Sequence, residues 1–151
     1  MRPVLRRAIT VDADALSDLS FRSKASNGYD EDFMEACRDE LAVTPEAIAD
    51  GYVWVAEANG KPVGFFDIRL ENNIVEVYVL FVDPAMKRDG IGRKLWAVLE
   101  ERAVVMNGNA IKLDADPFAV EFYTAMGCEI IGKAPSGSIP GRMLPRMCKW
   151  L

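Results

Sequence analysis

Hydrophobic and polar positions change their period more than once along the chain. Val4–Ile9 fits a short strand, and from about Asp12 to Lys24 the residues Ala13, Leu16, Leu19 and Ser20 fall at helical spacing. Asn27-Gly28 breaks that helix. Glu31–Leu41 predicts a second, and Thr44-Pro45-Glu46 has the form of a capped helix start. Then the period shortens. Tyr52–Ala58 and Pro62–Leu70 flank Asn59-Gly60, a hairpin signal, because such pairs adopt the left-handed backbone that matches the twist of the joined strands. Asn72-Asn73 predicts another turn, followed by the nearly uninterrupted apolar strand Ile74–Val82. Helical spacing returns over Gly90–Asn107, with Ile91, Leu95, Val98, Leu99, Ala103 and Met106 on one side and Gly108 as the stop. Ala110–Ala115 reads as a strand, Pro117–Met126 as a helix, and Cys128–Gly132 and Met143–Trp150 as closing strands. The order predicts a single α/β domain over residues 1–151, a mixed sheet covered by helices.

Composition removes whole classes of chemistry. Half of the 151 residues are hydrophobic and 27% are charged, enough to bury a core. There is no histidine, which excludes Ser-His and Cys-His triads and the common zinc-hydrolase sites. Cys37, Cys128 and Cys148 are widely spaced and odd in number, so they predict buried free thiols in a reducing compartment rather than a disulfide framework or a metal site. A formal charge of −5 argues against a general nucleic-acid binder. The opening MRPVLRRAIT is too charged for a signal peptide's apolar core, and no apolar run approaches the ~20 residues of a membrane span, so the expectation is a soluble, cytoplasmic protein.

One stretch carries most of the chemical information. Asp83-Pro84-Ala85-Met86-Lys87-Arg88-Asp89-Gly90-Ile91-Gly92-Arg93-Lys94 joins the apolar strand to the long helix. A helix start exposes unpaired amides and partial positive charge, so Lys87, Arg88, Arg93 and Lys94 stand at the wrong end for the helix dipole. An anion bound there would satisfy both, and glycines at 90 and 92 would let the backbone approach it. A solvated basic turn is the plain alternative. The spacing fits neither a dinucleotide fingerprint, which wants a third glycine at Leu95, nor a phosphate loop of the Walker type.

The run VLFVDPAMKRDGIGRKLW resembles the acetyl-CoA signature of the GNAT superfamily of N-acetyltransferases, and LDADPFAVEFYTAMGCEIIG resembles that family's second landmark. The resemblance covers nearly the whole chain and implies the GNAT fold, a central mostly antiparallel sheet flanked by helices. Three positions depart from the pattern: Lys87 for Arg or Gln, Phe118 where an Asn often contacts the cofactor, and Cys128 for the Phe after Gly127. The resemblance implies that acetyl-CoA is the cosubstrate, with no metal. The backbone of Leu80, Phe81 and Val82 would hold the pantetheine arm. Lys87, Arg88, Asp89, Gly90, Ile91, Gly92 and Arg93 would cradle the pyrophosphate, and Phe118 and Tyr123 would border the cofactor. The implied activity is transfer of acetyl to a primary amine of a small molecule by direct attack in a ternary complex. Alternatives are a protein N-terminus or lysine as acceptor, a non-catalytic acyl-CoA sensor, and, on the glycine loop alone, a nucleotide-binding regulatory domain. A homodimer is a further expectation, dimers being common in the family.

Two residues suit the proton transfers of such a reaction. An alkylamine with a pKa of ~10 is protonated at neutral pH and must lose a proton to attack, and the departing thiolate gains from a donor. Glu76, the one charged residue in Ile74–Val82, is the candidate base; apolar neighbours on both faces would raise its pKa by desolvation. It also stands eleven residues before Lys87, the spacing of the strand glutamate in relatives that use one. Tyr123, in the Phe-Tyr pair, is the candidate acid; the plain alternatives are a solvent-facing glutamate and a core aromatic. Tyr29, Ser138 and Arg142 lie in segments that border the acceptor side in this fold and are the candidate acceptor-binding residues.

Overall fold

The computed structural model describes residues 2–151. Strand β1 (Val4–Arg7) is followed by α1 (Ala13–Ala25), α2 (Glu31–Leu41), α3 (Pro45–Asp50), β2 (Tyr52–Ala58), β3 (Lys61–Glu71) and β4 (Ile74–Val82). Then come α4 (Ile91–Val105), β5 (Ala110–Asp114), α5 (Val120–Ala125), β6 (Glu129–Pro135) and β7 (Met143–Trp150). The strands form one sheet in the order β1-β2-β3-β4-β5-β7-β6, and every neighbouring pair is antiparallel except β4–β5. This is the mixed, mostly antiparallel sheet expected from the sequence.

Local chemistry explains the boundaries. Both hairpin turns are left-handed throughout, with φ of 52° and 75° at Asn59 and Gly60 and of 51° and 66° at Asn72 and Asn73. Asp30 and Thr44 cap α2 and α3 by accepting the amides of Phe33 (2.8 Å) and Ala47 (3.0 Å). Differences from the sequence reading lie at element ends. β1 stops at Arg7, where the chain enters a tight turn, Thr10–Asp12. The Asp12 carboxylate ties that turn to the Ile9 amide and to Arg6. The helix expected from Pro117 begins as one 3-10 turn, Pro117–Ala119, before the six-residue α5. β6 runs on past Gly132 to Pro135.

Helix α4 covers one face of the sheet, packing Ile91, Leu95, Leu99 and Ala103 with Phe66, Ile68, Val75, Val77 and Ile111. Helices α1 and α3 cover the other, where Leu16, Leu19 and Ile48 meet Val53, Val55 and Phe65. Leu16 and Leu19 are fully buried, each contributing about 1.5–3 kcal/mol. A third cluster under α2 joins Met34, Cys37 and Leu41 to Phe81 and to Ile139 of the β6–β7 loop. The three cysteines are buried free thiols, as expected, and burial pushes the Cys128 thiol up to about 11. Among the described residues, no group of His, Cys, Asp and Glu is placed to hold a metal, and no helix is long and apolar enough to cross a membrane.

One irregularity positions the functional cleft. Asp67 of β3 faces Val79 of β4 while Ile68 faces Val77, which leaves Tyr78 as an extra, bulged residue. The parallel β4–β5 pairing ends at the same place, with Val77 opposite Leu113. Beyond it the two strands part, and β5 turns toward β7 through the bond from the Ala115 amide to the Pro145 carbonyl (2.8 Å).

Candidate active site

Where β4 and β5 separate, a cleft of about 990 Å³ opens. Its two lips repeat one local device. On the β4 side Asp83-Pro84-Ala85 forms a tight turn in which the Asp83 carboxylate accepts the Ala85 amide at 2.9 Å. On the β5 side Asp116-Pro117-Phe118 does the same, Asp116 accepting the Phe118 amide at 2.9 Å. Both turns are tied to α1, Asp83 through Arg22 (3.3 Å) and Asp116 through Lys24 (3.0 Å). Residues two apart on a helix project to different sides, so α1 spans the mouth and grips one lip on each flank.

The Asp83 lip leads into the expected anion cradle. Arg88 (φ 75°) and Gly90 (φ 80°) turn the chain through left-handed backbone, and Gly90 sits at the cap position of α4. The amides of Ile91, Gly92 and Arg93, in the first turn, precede the first helical bond, from the Lys94 amide to the Gly90 carbonyl (3.1 Å). Lys87, Arg88 and Arg93 line the cleft, Lys87 donating to Ser26 Oγ at 3.2 Å. Asp89 is exposed, and the buried Ile91 side chain leaves its backbone as the part that can serve the cradle. Upstream, Leu80, Phe81 and Val82 pair with β3 along one edge; along the other, no strand among the described residues pairs with them. Gly92 has a reason that spacing alone did not reveal. A Cβ there would lie 2.9 Å from the Phe122 ring, so the glycine also lets α5 pack against the start of α4.

The Asp116 lip carries Tyr123. The ring is buried, edge-on to Trp96 (5.8 Å) and Phe122 (5.3 Å), and borders the cleft. Burial, with Cys128 and Asp116 nearby, pushes the phenol pKa upward, so the hydroxyl keeps its proton through any working pH. Tyr123 is thus a core aromatic whose edge faces the cleft. Glu76 also lines the cleft, but the lone desolvated carboxylate expected on an apolar strand is not what the structure contains. Arg146 of β7 forks onto both Glu76 oxygens, one at 2.8 Å, and also reaches Asp114 at 3.1 Å. The alternation of β4 gave no sign of this partner, which stands 70 residues away.

Asp116 was not singled out by the sequence and is the most connected side chain of the site. It accepts from Lys24 (3.0 Å) and from the Tyr29 hydroxyl (2.9 and 3.0 Å), and Arg142 donates to that same hydroxyl at 2.7 Å. Burial alone would raise its pKa; the Phe118 amide, Lys24 and Tyr29 bring it below the usual carboxylate range. Tyr29 is pushed up to about 12 by burial and by Asp116, and stacks on Phe33 at 4.0 Å. Ser138 hydrogen-bonds Glu40 of α2, and Ile139 packs into the cluster beneath that helix. Tyr29, Ser138 and Arg142 are therefore engaged within the chain, where they strap the β6–β7 loop across to α2 and to the turn that precedes it. Phe118 is 63% exposed at the cleft edge, edge-on to Tyr29. An Asp-Pro pair repeated after two strands was the available signal for Asp116.

Residues 16–135 match the family model described as an acetyltransferase (GNAT) domain. The chain belongs to the GNAT acetyltransferase family. Among curated proteins, none matches the sequence. The GNAT fold recurs in the PaiA N-acetyltransferase of Thermoplasma acidophilum in complex with coenzyme A (18% identity, all of both chains, TM-score 0.82). It recurs in a GCN5-related N-acetyltransferase of Rhodopseudomonas palustris (25% identity, all of this chain and 97% of that one, TM-score 0.82). An aminoglycoside 6'-N-acetyltransferase complexed with coenzyme A is similar as well (20% identity, 97% of this chain and 96% of that one, TM-score 0.73). Likeness at this level fixes the GNAT architecture and leaves the acceptor to be argued from this chain's own cleft.

Proposed function

We propose that this GNAT protein transfers acetyl from acetyl-CoA to a primary amine of a small molecule, by direct attack in a ternary complex. The observation that carries the reading is the free edge of β4 running into the left-handed, basic start of α4. A strand edge offers backbone partners to the amide-bearing pantetheine arm, and the helix start offers amides and positive charge to the pyrophosphate. Bound acetyl-CoA would supply an activated acyl thioester. Tyr123, protonated beside the cleft, would give its proton to the departing sulfur. Glu76 would take the amine's proton, and because Arg146 occupies both of its oxygens it would act through its remaining lone pairs or a water. The strap from the β6–β7 loop to α2 borders the cleft at Glu40 and Gly137, and a bordered cleft supports a small acceptor over a protein chain.

Free-thiol release from acetyl-CoA across a panel of amines tests the reaction. Binding of coenzyme A without turnover on any amine would favour a sensor, and tighter binding of ATP than of coenzyme A by calorimetry would favour a nucleotide module. Glu76→Gln should lower turnover at neutral pH, with part of the loss recovered as rising pH frees the amine. A loss below tenfold would make Glu76 a spectator, since one acid–base group is typically worth about 10²–10⁴-fold.

A further inference from the structure

Glu76 is held by one group, from one side. Arg146 sends Nη1 to Glu76 Oε2 at 2.8 Å and Nη2 to Glu76 Oε1, and Nη1 also reaches Asp114 Oδ1 at 3.1 Å. A planar guanidinium bonded to both oxygens fixes the plane of a carboxylate as well as its place. Glu76 lines the cleft and Arg146 does not, so the fork arrives from the wall and leaves the cleft side of the carboxylate open. The two side chains are 18% and 25% exposed, which sets the pair apart from solvent-screened ion pairs that hold no fixed shape.

The neighbouring cations are committed elsewhere. Arg69 stands opposite Glu76 on β3, yet its Nε and Nη2 go to the two oxygens of buried Asp67, at 3.0 and 2.9 Å. Its guanidinium also lies 5.1 Å from the centre of the Tyr78 ring. Lys112 stands opposite Glu76 on β5 and holds its ammonium 5.6 Å from the centre of the Trp150 ring. Among the described residues, Arg146 is thus the one cation bonded to Glu76. The contact lies at the base of the fork between β4 and β5, whose pairing ends one residue on, at Val77 and Leu113. A tie between strands at that point needs only opposite charge, which lysine also supplies. Aiming a carboxylate needs the planar fork, which lysine lacks.

We infer that Arg146 is a positioning residue for acetyl transfer, setting the plane of the Glu76 carboxylate so that an unshared pair on one oxygen is aimed into the cleft. The inference rests on the reading of Glu76 as the acceptor's base and goes beyond it in naming what aims that base. In the step concerned, an N–H bond of the acceptor's ammonium breaks and its electron pair stays on nitrogen as the attacking lone pair. The proton passes to a Glu76 oxygen, directly or through a water, while the guanidinium keeps the group from turning away. Misplacing such a group slows the reaction without touching the cosubstrate's own contacts.

The test takes the panel's fastest alkylamine and the same amine fluorinated at its second carbon, ethylamine and 2,2,2-trifluoroethylamine in the simplest case. At about pH 8 the first is almost wholly an ammonium, and the second, far less basic, is already free amine. Arg146→Lys keeps the charge and loses the fork; Arg146→Gln loses both. On the basic amine both variants should lose about tenfold or more in kcat, with KM for acetyl-CoA within about twofold. On the fluorinated amine, which brings no proton to be removed before attack, the loss should be at least about threefold smaller. Adding Glu76→Gln to Arg146→Lys should cost less than about threefold more, because the aimed base is already gone. Melting temperatures check the fold, and if Arg146→Gln does not fold, Arg146→Lys carries the test alone. Recovery of most of the rate by Arg146→Lys, or equal losses on the two amines, would make Arg146 a tie between strands and overturn the inference while leaving acetyl transfer intact. A loss below about tenfold for Glu76→Gln alone would remove the base and the inference with it. Turnover of no amine in the panel would set aside acetyl transfer as well.

Discussion

At each lip of the cleft an aspartate follows a strand, precedes a proline and accepts the amide two residues on, yet the two aspartates hold very different loads. Asp83 has one charged partner, Arg22, whose side chain is 45% exposed and shared with Asp18. Asp116 collects Lys24 and the Tyr29 hydroxyl, with Arg142 behind them, in a setting where the side chains are 15–19% exposed at both ends of each ion pair. The segments beyond the two turns differ too: a basic loop and a 15-residue helix after the first, a six-residue helix bearing a buried tyrosine after the second. The turn itself is dictated locally by Asx capping and by proline's fixed φ. Its importance is set by residues that arrive from elsewhere in the chain, one lip leading into a basic helix start and the other tied to Lys24 and Tyr29.

If that division holds, the largest single effect falls at the Asp116 lip. Tyr123→Phe keeps the ring and removes the proton, so kcat should drop about 10²-fold or more, with coenzyme A affinity within twofold and no recovery at high pH. A drop below tenfold would move the chemistry away from that lip. Next comes Gly92→Asp, which sets a carboxylate against the anion and a side chain against Phe122. Coenzyme A affinity should fall about tenfold or more by calorimetry, equivalent to ~1.4 kcal/mol, and a folded variant of unchanged affinity would sever the anion from the Asp83 lip.

The turns can be compared directly by denaturation. Asp116→Asn should cost about 1.5–3 kcal/mol, the range for hydrogen bonds to a charged group. Asp83→Asn should cost under ~1 kcal/mol, as exposed pairs do; equal losses would erase the contrast. The Asp116 pKa is lowered on folding, so its ionised form stabilises the protein above the ordinary value of 3.8, and that contribution is lost as pH falls below it. The gap between the unmodified protein and Asp116→Asn should therefore close in acid. Lys87→Ala should do least, weakening coenzyme A by about threefold or less because the backbone donors remain; a loss exceeding that of Gly92→Asp would reverse the ranking.

The architecture was legible because it rests on short-range rules. Asn59-Gly60 and Asn72-Asn73 set the meander, and the spacing of Leu16, Leu19, Leu95 and Leu99 set which helix faces are buried. The junction after β4 was legible for the same reason, since a strand, a glycine pair and a helix start are contiguous. Arg146 on Glu76, Tyr29 and Lys24 on Asp116, and Glu40 on Ser138 were not, because each partner lies 70 to 98 residues from its mate. Nor did the glycine loop reveal Phe122 lying over Gly92, a contact made only when α5 meets α4.

The extra residue at Tyr78 acts as a parity switch. Upstream of it even-numbered Glu76 shares the α1 face of the sheet with Arg69; downstream that face passes to odd-numbered Val79 and Phe81, opposite Asp67 and Phe65. Val75 and Val77 give way to Leu80 and Val82 on the α4 face by the same exchange. Deleting Tyr78 would restore strict alternation and leave Glu76, Val79 and Phe81 together on the α1 face. Straightening the strand with Tyr78 retained, or removing a residue well away from it, would instead send the carboxylate and the greasy half of β4 to opposite sides of the sheet, so the bulge is the one place where this strand can change its length and keep its faces.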